Sequence, residues 1–187
     1  MNSGSQAQWK TEAKLSGNSG TKEKCGMNDF LSEINNNAKK EENHLLFTVD
    51  ASAGIKWFSS EKEDKVEIAK ILLEKNLSGE IEIIVPGLFF FEIINSFLYK
   101  KNFSYGQILK IFNSLKLMHM QIIYTDYQLM EESLSIAHRQ GITFYDALYV
   151  ACARQKDCIL LTEDTKLFAC RKNYNFIKNL DYLLEIF

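Results

Sequence analysis

Four short runs along the chain are almost wholly apolar and rich in aliphatic or β-branched side chains: Leu45-Leu46-Phe47-Thr48-Val49, Ile81-Glu82-Ile83-Ile84-Val85, Gln121-Ile122-Ile123-Tyr124 and Cys158-Ile159-Leu160-Leu161-Thr162. Their length and composition predict strands. Each is followed by longer stretches of helical spacing, at about 52–58, 62–76, 87–101, 104–116, 127–140, 144–156 and 165–172. Strands that alternate with helices need crossover connections, so they pair in parallel, and near-continuous apolar strands are covered on both faces. The predicted fold is α/β, a three-layer α/β/α sandwich with a mostly parallel central sheet.

Residues 1–44 have another texture. They are rich in Ser, Gly, Asn, Lys and Glu, and six lysines balance six acidic residues, so the segment is no basic arm for nucleic acid. The reading is a disordered leader at 1–44 and one domain at 45–187. A short partner-binding helix around Phe30-Leu31-Ser32-Glu33-Ile34 is the sharper alternative for the leader.

Composition changes this picture little. The 22 Lys and Arg against 24 Asp and Glu leave a formal charge of −2, so a polyanion must be met by a local patch or a metal ion. Cys25, Cys152, Cys158 and Cys170 show neither a C-x-x-C pair nor zinc spacing and are read as reduced thiols of a cytoplasmic protein. No apolar run reaches the roughly 18–20 residues of a membrane span, and the polar N-terminus lacks the apolar core of a signal peptide.

Acidic residues stand out against the apolar helices. Asp146 is the only charge in the stretch from Thr143 to Ala153, and Glu92 the only charge between Gly87 and Tyr99. A carboxylate among apolar neighbours needs a partner, because its charged form loses hydration. Helical spacing puts Asn95, Ser96 and Tyr99 on the face of Glu92. Asp50 follows the first strand and Asp164 the last. Plain explanations exist for each: Asp50 and Asp164 as helix N-caps, Asp146 in a capping-box variant with Thr143, and Glu92 answering a helix dipole or a lysine.

Position alters the joint judgement. In a parallel α/β sheet, ligands bind outside the carboxyl ends of the strands, and both aspartates lie where a strand gives way to a helix. If Glu92 and Asp146 join them, four acids meet at one edge. Mutual repulsion then demands protonation or a cation, and all-oxygen ligands suit Mg²⁺ or Mn²⁺.

Other chemistries find less support. His44, His119 and His138 lie in unlike contexts and are read as surface or boundary residues, and there is no Gly-rich phosphate loop. Val49-Asp50-Ala51 has Ser52 where a haloacid-dehalogenase phosphatase needs a second aspartate. Cys152 and Cys158 read as packing residues.

Val49-Asp50-Ala51-Ser52 with Lys56-Trp57, Val85-Pro86 followed by Phe91-Glu92-Ile93-Ile94-Asn95, Tyr145-Asp146-Ala147-Leu148-Tyr149-Val150-Ala151, and Leu161-Thr162-Glu163-Asp164-Thr165-Lys166-Leu167 resemble the PIN-domain family, in particular its VapC-like toxin branch. The resemblance runs from about Leu45 to the C-terminus in the family's order and approximate spacing. It implies a metal-dependent endoribonuclease in which Asp50, Glu92, Asp146 and Asp164 hold one or two Mg²⁺ or Mn²⁺ ions. Ser52 and Thr162 match hydroxyl residues that support the first and last aspartates, and Asn95 a polar residue one turn beyond the glutamate. It further implies a homodimer, an RNA substrate and a small antitoxin whose tail enters the acidic groove. The 44-residue leader is not part of the family pattern, and the modest basic content leaves the RNA path undefined. A PIN nuclease of RNA processing or quality control, and a non-catalytic PIN-like binding module, are the other readings.

Overall fold

The first strand, β1 (Leu45–Val49), occupies the middle of the sheet. It runs parallel to β2 (Ile81–Pro86) on one side and to β4 (Ile159–Leu161) on the other. β3 (Gln121–Ile123) and β5 (Ile177–Lys178) form the edges, in the order β3-β2-β1-β4-β5. Every pairing is parallel. A computed structural model supplies these coordinates and describes residues 45–59, 63–100 and 102–187. The leader predicted at 1–44 and Cys25 therefore lie outside the described residues.

The strands are apolar because both faces are covered. Phe47, Val49, Ile83, Val85, Leu160 and Leu161 are each fully buried. Between the strands run α1 (Ala51–Gly54), which passes into a 3₁₀ turn at Ile55–Phe58, then α2 (Val66–Ser78), α3 (Leu88–Tyr99) and α4 (Tyr105–Leu115). They are followed by α5 (Tyr127–Gln140), α6 (Phe144–Gln155) and α7 (Thr165–Ala169) with a 3₁₀ turn at Cys170–Lys172. After β5 comes a 3₁₀ turn at Leu180–Tyr182 and α8 (Leu183–Ile186). α6 is buried without interruption from Ala147 to Ala153, packs on β1, β2 and β4, and carries α5 on its outer side. α2 packs on β2 and meets α8. This is the α/β/α sandwich expected from the sequence. No helix among the described residues is long and apolar enough to cross a membrane.

Differences from the sequence reading are local. The helix expected at 62–76 begins at Val66, because Lys65 sits at φ 62° in the left-handed region, from which a helix cannot run backwards. The one expected at 87–101 ends at Tyr99, where Lys100 turns extended. β5 and α8 were not expected. Two residues of strand carry no period, and β5 is drawn into the sheet by its neighbour: Leu160 N–H donates to the Phe176 carbonyl at 3.0 Å and Thr162 N–H to that of Lys178 at 3.0 Å.

The chain leaves β1 for one half of the sheet and returns to β4 on the other side of β1. The carboxyl ends of β1 and β4 thus form the switch point of the topology, where a crevice opens between diverging connections.

Candidate active site

Asp50 extends the β1–β4 ladder by one bond, its N–H donating to the Leu161 carbonyl at 2.9 Å. Its side chain is only 5% exposed. Oδ2 accepts from the Thr162 hydroxyl at 2.8 Å, from the Ser52 hydroxyl at 2.5 Å and from the Ser52 N–H at 3.3 Å, which also makes Asp50 the N-cap of α1. Both hydroxyls are fed from behind. Ser52 Oγ accepts the Glu163 N–H at 2.8 Å, and Thr162 Oγ1 accepts the Asp164 N–H at 3.1 Å. Each hydroxyl therefore turns its own hydrogen toward Asp50.

Among the described residues Oδ1 of Asp50 has no donor, yet none of their buried side-chain polar atoms lacks a hydrogen bond. Oδ1 must therefore reach solvent. Burial pushes the Asp50 carboxyl above its usual range, the Ser52 and Thr162 hydrogen bonds pull it back, and the charge of Asp146 pushes it up further.

The other three acids line the same cleft, about 320 Å³ in volume, together with Ser52, Asn95 and Ser96. Asp164 caps α7 through Oδ1, which accepts from Lys166 N–H and Leu167 N–H at 2.8 Å each, and this leaves Oδ2 without a partner among the described residues. Its capping role and its place in the cleft are therefore compatible. Asp146 sits in the first turn of α6, where its N–H donates to Thr143 Oγ1 at 3.0 Å. Half of the anticipated capping box is present, and the Asp146 carboxylate makes no hydrogen bond among the described residues.

Glu92, in the second turn of α3, accepts from the Tyr149 hydroxyl through Oε2 at 2.5 Å. Burial raises its carboxyl above the ordinary value, Tyr149 counteracts this, and Asp50 and Asp146 add to the rise. The polar stripe predicted on α3 holds for Glu92, Asn95 and Ser96. Tyr99, two turns on, is 81% exposed and does not line the cleft.

None of the four carboxylates forms an ion pair with Lys, Arg or His among the described residues. The cleft is thus an all-oxygen, net-anionic lining with free lone pairs on Asp50, Asp146 and Asp164, a donor set that fits a hard divalent cation. The acids are not drawn into a tight preformed cluster: no group of three Asp, Glu, His or Cys among the described residues is close enough to hold an ion as it stands.

Close packing sets the approach of α1 to α3. A Cβ on Gly54 would lie 2.6 Å from the Phe89 ring and 3.3 Å from Ile93 Cδ1, so glycine lets the Asp50 helix settle against the Glu92 helix.

Two contributors escaped the sequence reading. Tyr149 follows Asp146 by three residues on one helix face, a spacing that points both toward α3. Glu163 shows no such signal. Its carboxylate accepts from Lys65 at 3.1 Å and from Leu180 N–H at 2.9 Å, which anchors the loop that carries Thr162 and Asp164. His119 and His138 are exposed and stand apart from the cleft, as expected. Cys152, Cys158 and Cys170 are buried free thiols, and burial pushes Cys152 up to about 12.

The sequence profile of the PIN domain matches residues 47–172. No curated protein matches this chain. Among solved structures, PAE2754 of Pyrobaculum aerophilum is 22% identical, with a TM-score of 0.55 over 75% of this chain and 93% of its own. A toxin–antitoxin complex from Klebsiella pneumoniae is 20% identical, with a TM-score of 0.53 over 73% and 97%. VapC20 of Mycobacterium tuberculosis, described as a sarcin–ricin loop cleaving toxin, is 15% identical, with a TM-score of 0.53 over 66% and 94%. At these identities the structures attest the shared fold. The profile match covers well over half of the chain and spans the residues that carry Asp50, Glu92, Asp146 and Asp164, so the chain belongs to the PIN domain family.

Proposed function

We propose that the chain is a metal-dependent endoribonuclease of the VapC-like kind, the toxin of a toxin–antitoxin pair. The observation that carries this reading is the cleft at the switch point, where Asp50, Glu92, Asp146 and Asp164 line one wall system and no cationic side chain among the described residues pairs with them. In this reading the four carboxylates hold Mg²⁺ or Mn²⁺, Ser52 and Thr162 fix the rotamer of Asp50, and Asn95 offers an amide beside Glu92. A bound divalent ion supplies an acidified water and a counter-charge for the phosphodiester. The protein's part is to hold the carboxylates oriented: Asp50 with Oδ1 open, Asp164 with Oδ1 committed to its cap, Glu92 with Oε2 committed to Tyr149.

The toxin assignment rests on the likeness to toxins of known structure and on one surface. An apolar groove of about 690 Å³ adjoins the cleft, shares Glu92 and Asn95 with it, and exposes Phe91, Leu98 and Tyr145. Such a groove suits an apolar segment of a small antitoxin, whose basic residues would meet the acids, and the exposed side chains of α3 and α4 suit a homodimer contact. Buried, unpaired Cys152, Cys158 and Cys170 fit a cytoplasmic location.

The test is cleavage of single-stranded and structured RNA by purified protein with Mn²⁺, Mg²⁺ or EDTA, with analysis of the ends. Attack by water breaks the bond from phosphorus to the 3′ oxygen, and the departing oxygen takes up a proton, so 5′-phosphate and 3′-hydroxyl ends are expected. Cleavage that persists in EDTA, cyclic-phosphate ends, or full activity in Asp146→Asn would overturn the reading.

A further inference from the structure

The fourteen residues after Asp164, from Thr165 to Lys178, contain Lys166, Arg171, Lys172 and Lys178 and no acid, in a chain whose formal charge is −2. This is a local cationic stretch with aromatic residues interleaved, and its fold gives it a shape. A second pocket of about 380 Å³ opens beside β5, within the usual span of small-ligand sites of roughly 300–1,000 Å³. On its wall the Arg171 guanidinium lies 4.1 Å from the centre of the Phe168 ring and is pinned by a 3.2 Å hydrogen bond from Nη1 to the Phe168 carbonyl. The Lys178 ammonium lies 5.3 Å from the centre of the Tyr182 ring, and the amides of Asn175 and Asn179 complete the lining.

The pocket is tied to the acidic cleft by two short covalent and hydrogen-bonded paths. Lys178 stands in register with Leu161, and its carbonyl accepts the Thr162 N–H at 3.0 Å. Phe168 lies one helical turn from Asp164, its N–H donating to the Asp164 carbonyl at 2.8 Å. A helical turn rises about 5.4 Å, so the pocket begins within a nucleotide's reach of the cleft.

We propose that this pocket binds one nucleotide of a single-stranded RNA whose scissile phosphate sits at the acidic cleft, an inference that rests on the nuclease reading. The chemistry matches. A guanidinium held over an aromatic ring offers a planar cation on which an unpaired base can stack, side-chain amides can hydrogen-bond a base edge, and Arg171 and Lys178 can meet phosphate. Two acids also border the pocket. Asp181 is already engaged, with Lys65 at 2.9 Å and Asn179 Nδ2 at 2.8 Å, whereas Glu185 is exposed on the helix α8. Lys65 is shared with Glu163, so Asp181 is only partly offset and the pocket is close to charge balance; the guanidinium over the Phe168 ring, rather than net charge, recommends it for a nucleotide.

The experiment measures binding of fluorescent oligouridylate and oligoadenylate to the full chain in EDTA, across a salt series, and cleavage of the same strands with Mn²⁺. For Arg171→Ala/Lys178→Ala we expect binding about tenfold weaker and a salt slope smaller by about 1.4, since each phosphate contact on a single strand contributes about 0.7. KM should rise with kcat unchanged. Arg171→Lys, which keeps the charge and loses the plane, should retain the salt slope and still lose affinity, most for the strongly stacking adenylate. A double variant that binds as wild type while wild type cuts RNA would overturn the subsite and leave the nuclease reading intact. Wild-type protein that neither binds nor cuts RNA would overturn both.

Discussion

The hydroxyl of Tyr149 donates to Oε2 of Glu92 at 2.5 Å, linking α6 to α3 beside the acidic cleft. Tyr149 is fully buried, and Glu92 has no other hydrogen-bond donor among the described residues. The bond decides which carboxylate oxygen remains for a ligand. Tyr149→Phe keeps the ring and its packing, so stability should fall by only about 1 kcal/mol, the usual net worth of one hydrogen bond. Catalysis should suffer more, because Glu92 is then free to leave its rotamer. We expect the Mn²⁺ concentration for half-maximal cleavage to rise several-fold, read from a metal titration beside a thermal melt. Unchanged metal dependence would show that Tyr149 only packs.

A shared ion at Asp50, Glu92, Asp146 and Asp164 would stabilise the native state by mass action, raising Tm as Mn²⁺ is added. Asp146→Asn should blunt that rise. Without metal, the same variant should be no less stable than wild type, since the Asp146 charge pushes up the carboxyls of both Asp50 and Glu92 and its loss relieves that repulsion. Equal Mn²⁺ stabilisation of wild type and an Asp50→Asn/Asp146→Asn double variant would remove the common site.

How much of this was legible in the sequence differs by residue. Asp50, Ser52, Thr162 and Asp164 lie at strand ends, where an apolar run gives way to an acid and a small hydroxyl two residues apart, and the switch-point rule then brings β1 and β4 together. Glu92 and Asp146 were legible as lone charges on apolar helices. The wiring between them was not. That the Ser52 hydroxyl points to Asp50 depends on the Glu163 N–H, a backbone contact across 111 positions that no side-chain pattern reports. The left-handed Lys65 that delays α2 is held by Glu163 and Asp181, again long-range partners. β5 is too short to show any period and exists through its bonds to β4.

Stability should depend on pH in a direction set by Asp50 and Glu92. Burial raises both carboxyls above their unfolded values near 4, so the folded state takes up protons more readily there than the unfolded chain. Their contribution is fully present below the unfolded values and is lost as pH rises through the folded ones. Glu80 is shifted down by Lys75 and acts oppositely, but it is fully exposed and screened by solvent. In EDTA, Tm should therefore rise as pH is lowered from neutrality toward the unfolded carboxyl range, and Asp50→Asn should flatten the trend. Mn²⁺ needs the ionised carboxylates, so its stabilisation should grow with pH over the same interval. Melts across this range with and without metal would check both slopes, and a wild-type Tm that falls on mild acidification in EDTA counts against the buried-carboxylate account.

Gly54 tests whether α1 must approach α3 closely for the site to form. Its backbone is ordinary right-handed helix, φ −65°, so alanine there would gain up to about 1 kcal/mol in helix propensity if space allowed. Space does not allow it: the added Cβ would stand 2.6 Å from two atoms of the Phe89 ring. That ring is fully buried and packed against Trp57 and Phe90, with centroids at 5.9 and 5.6 Å, so it has little room to retreat. Overpacking of this kind costs about 1–3 kcal/mol, which outweighs the propensity gain. Gly54→Ala should lower Tm and, by pushing the helix that follows Asp50 away from the helix that carries Glu92, raise the Mn²⁺ needed for cleavage. Gly54→Ser should behave alike, whereas Gly106→Ala, at a position where an added Cβ meets nothing within 4 Å, should leave both quantities unchanged or raise Tm. A Gly54→Ala protein that melts higher than wild type with the same Mn²⁺ requirement would show that the Phe89 ring yields and that the approach of the two helices does not govern the site.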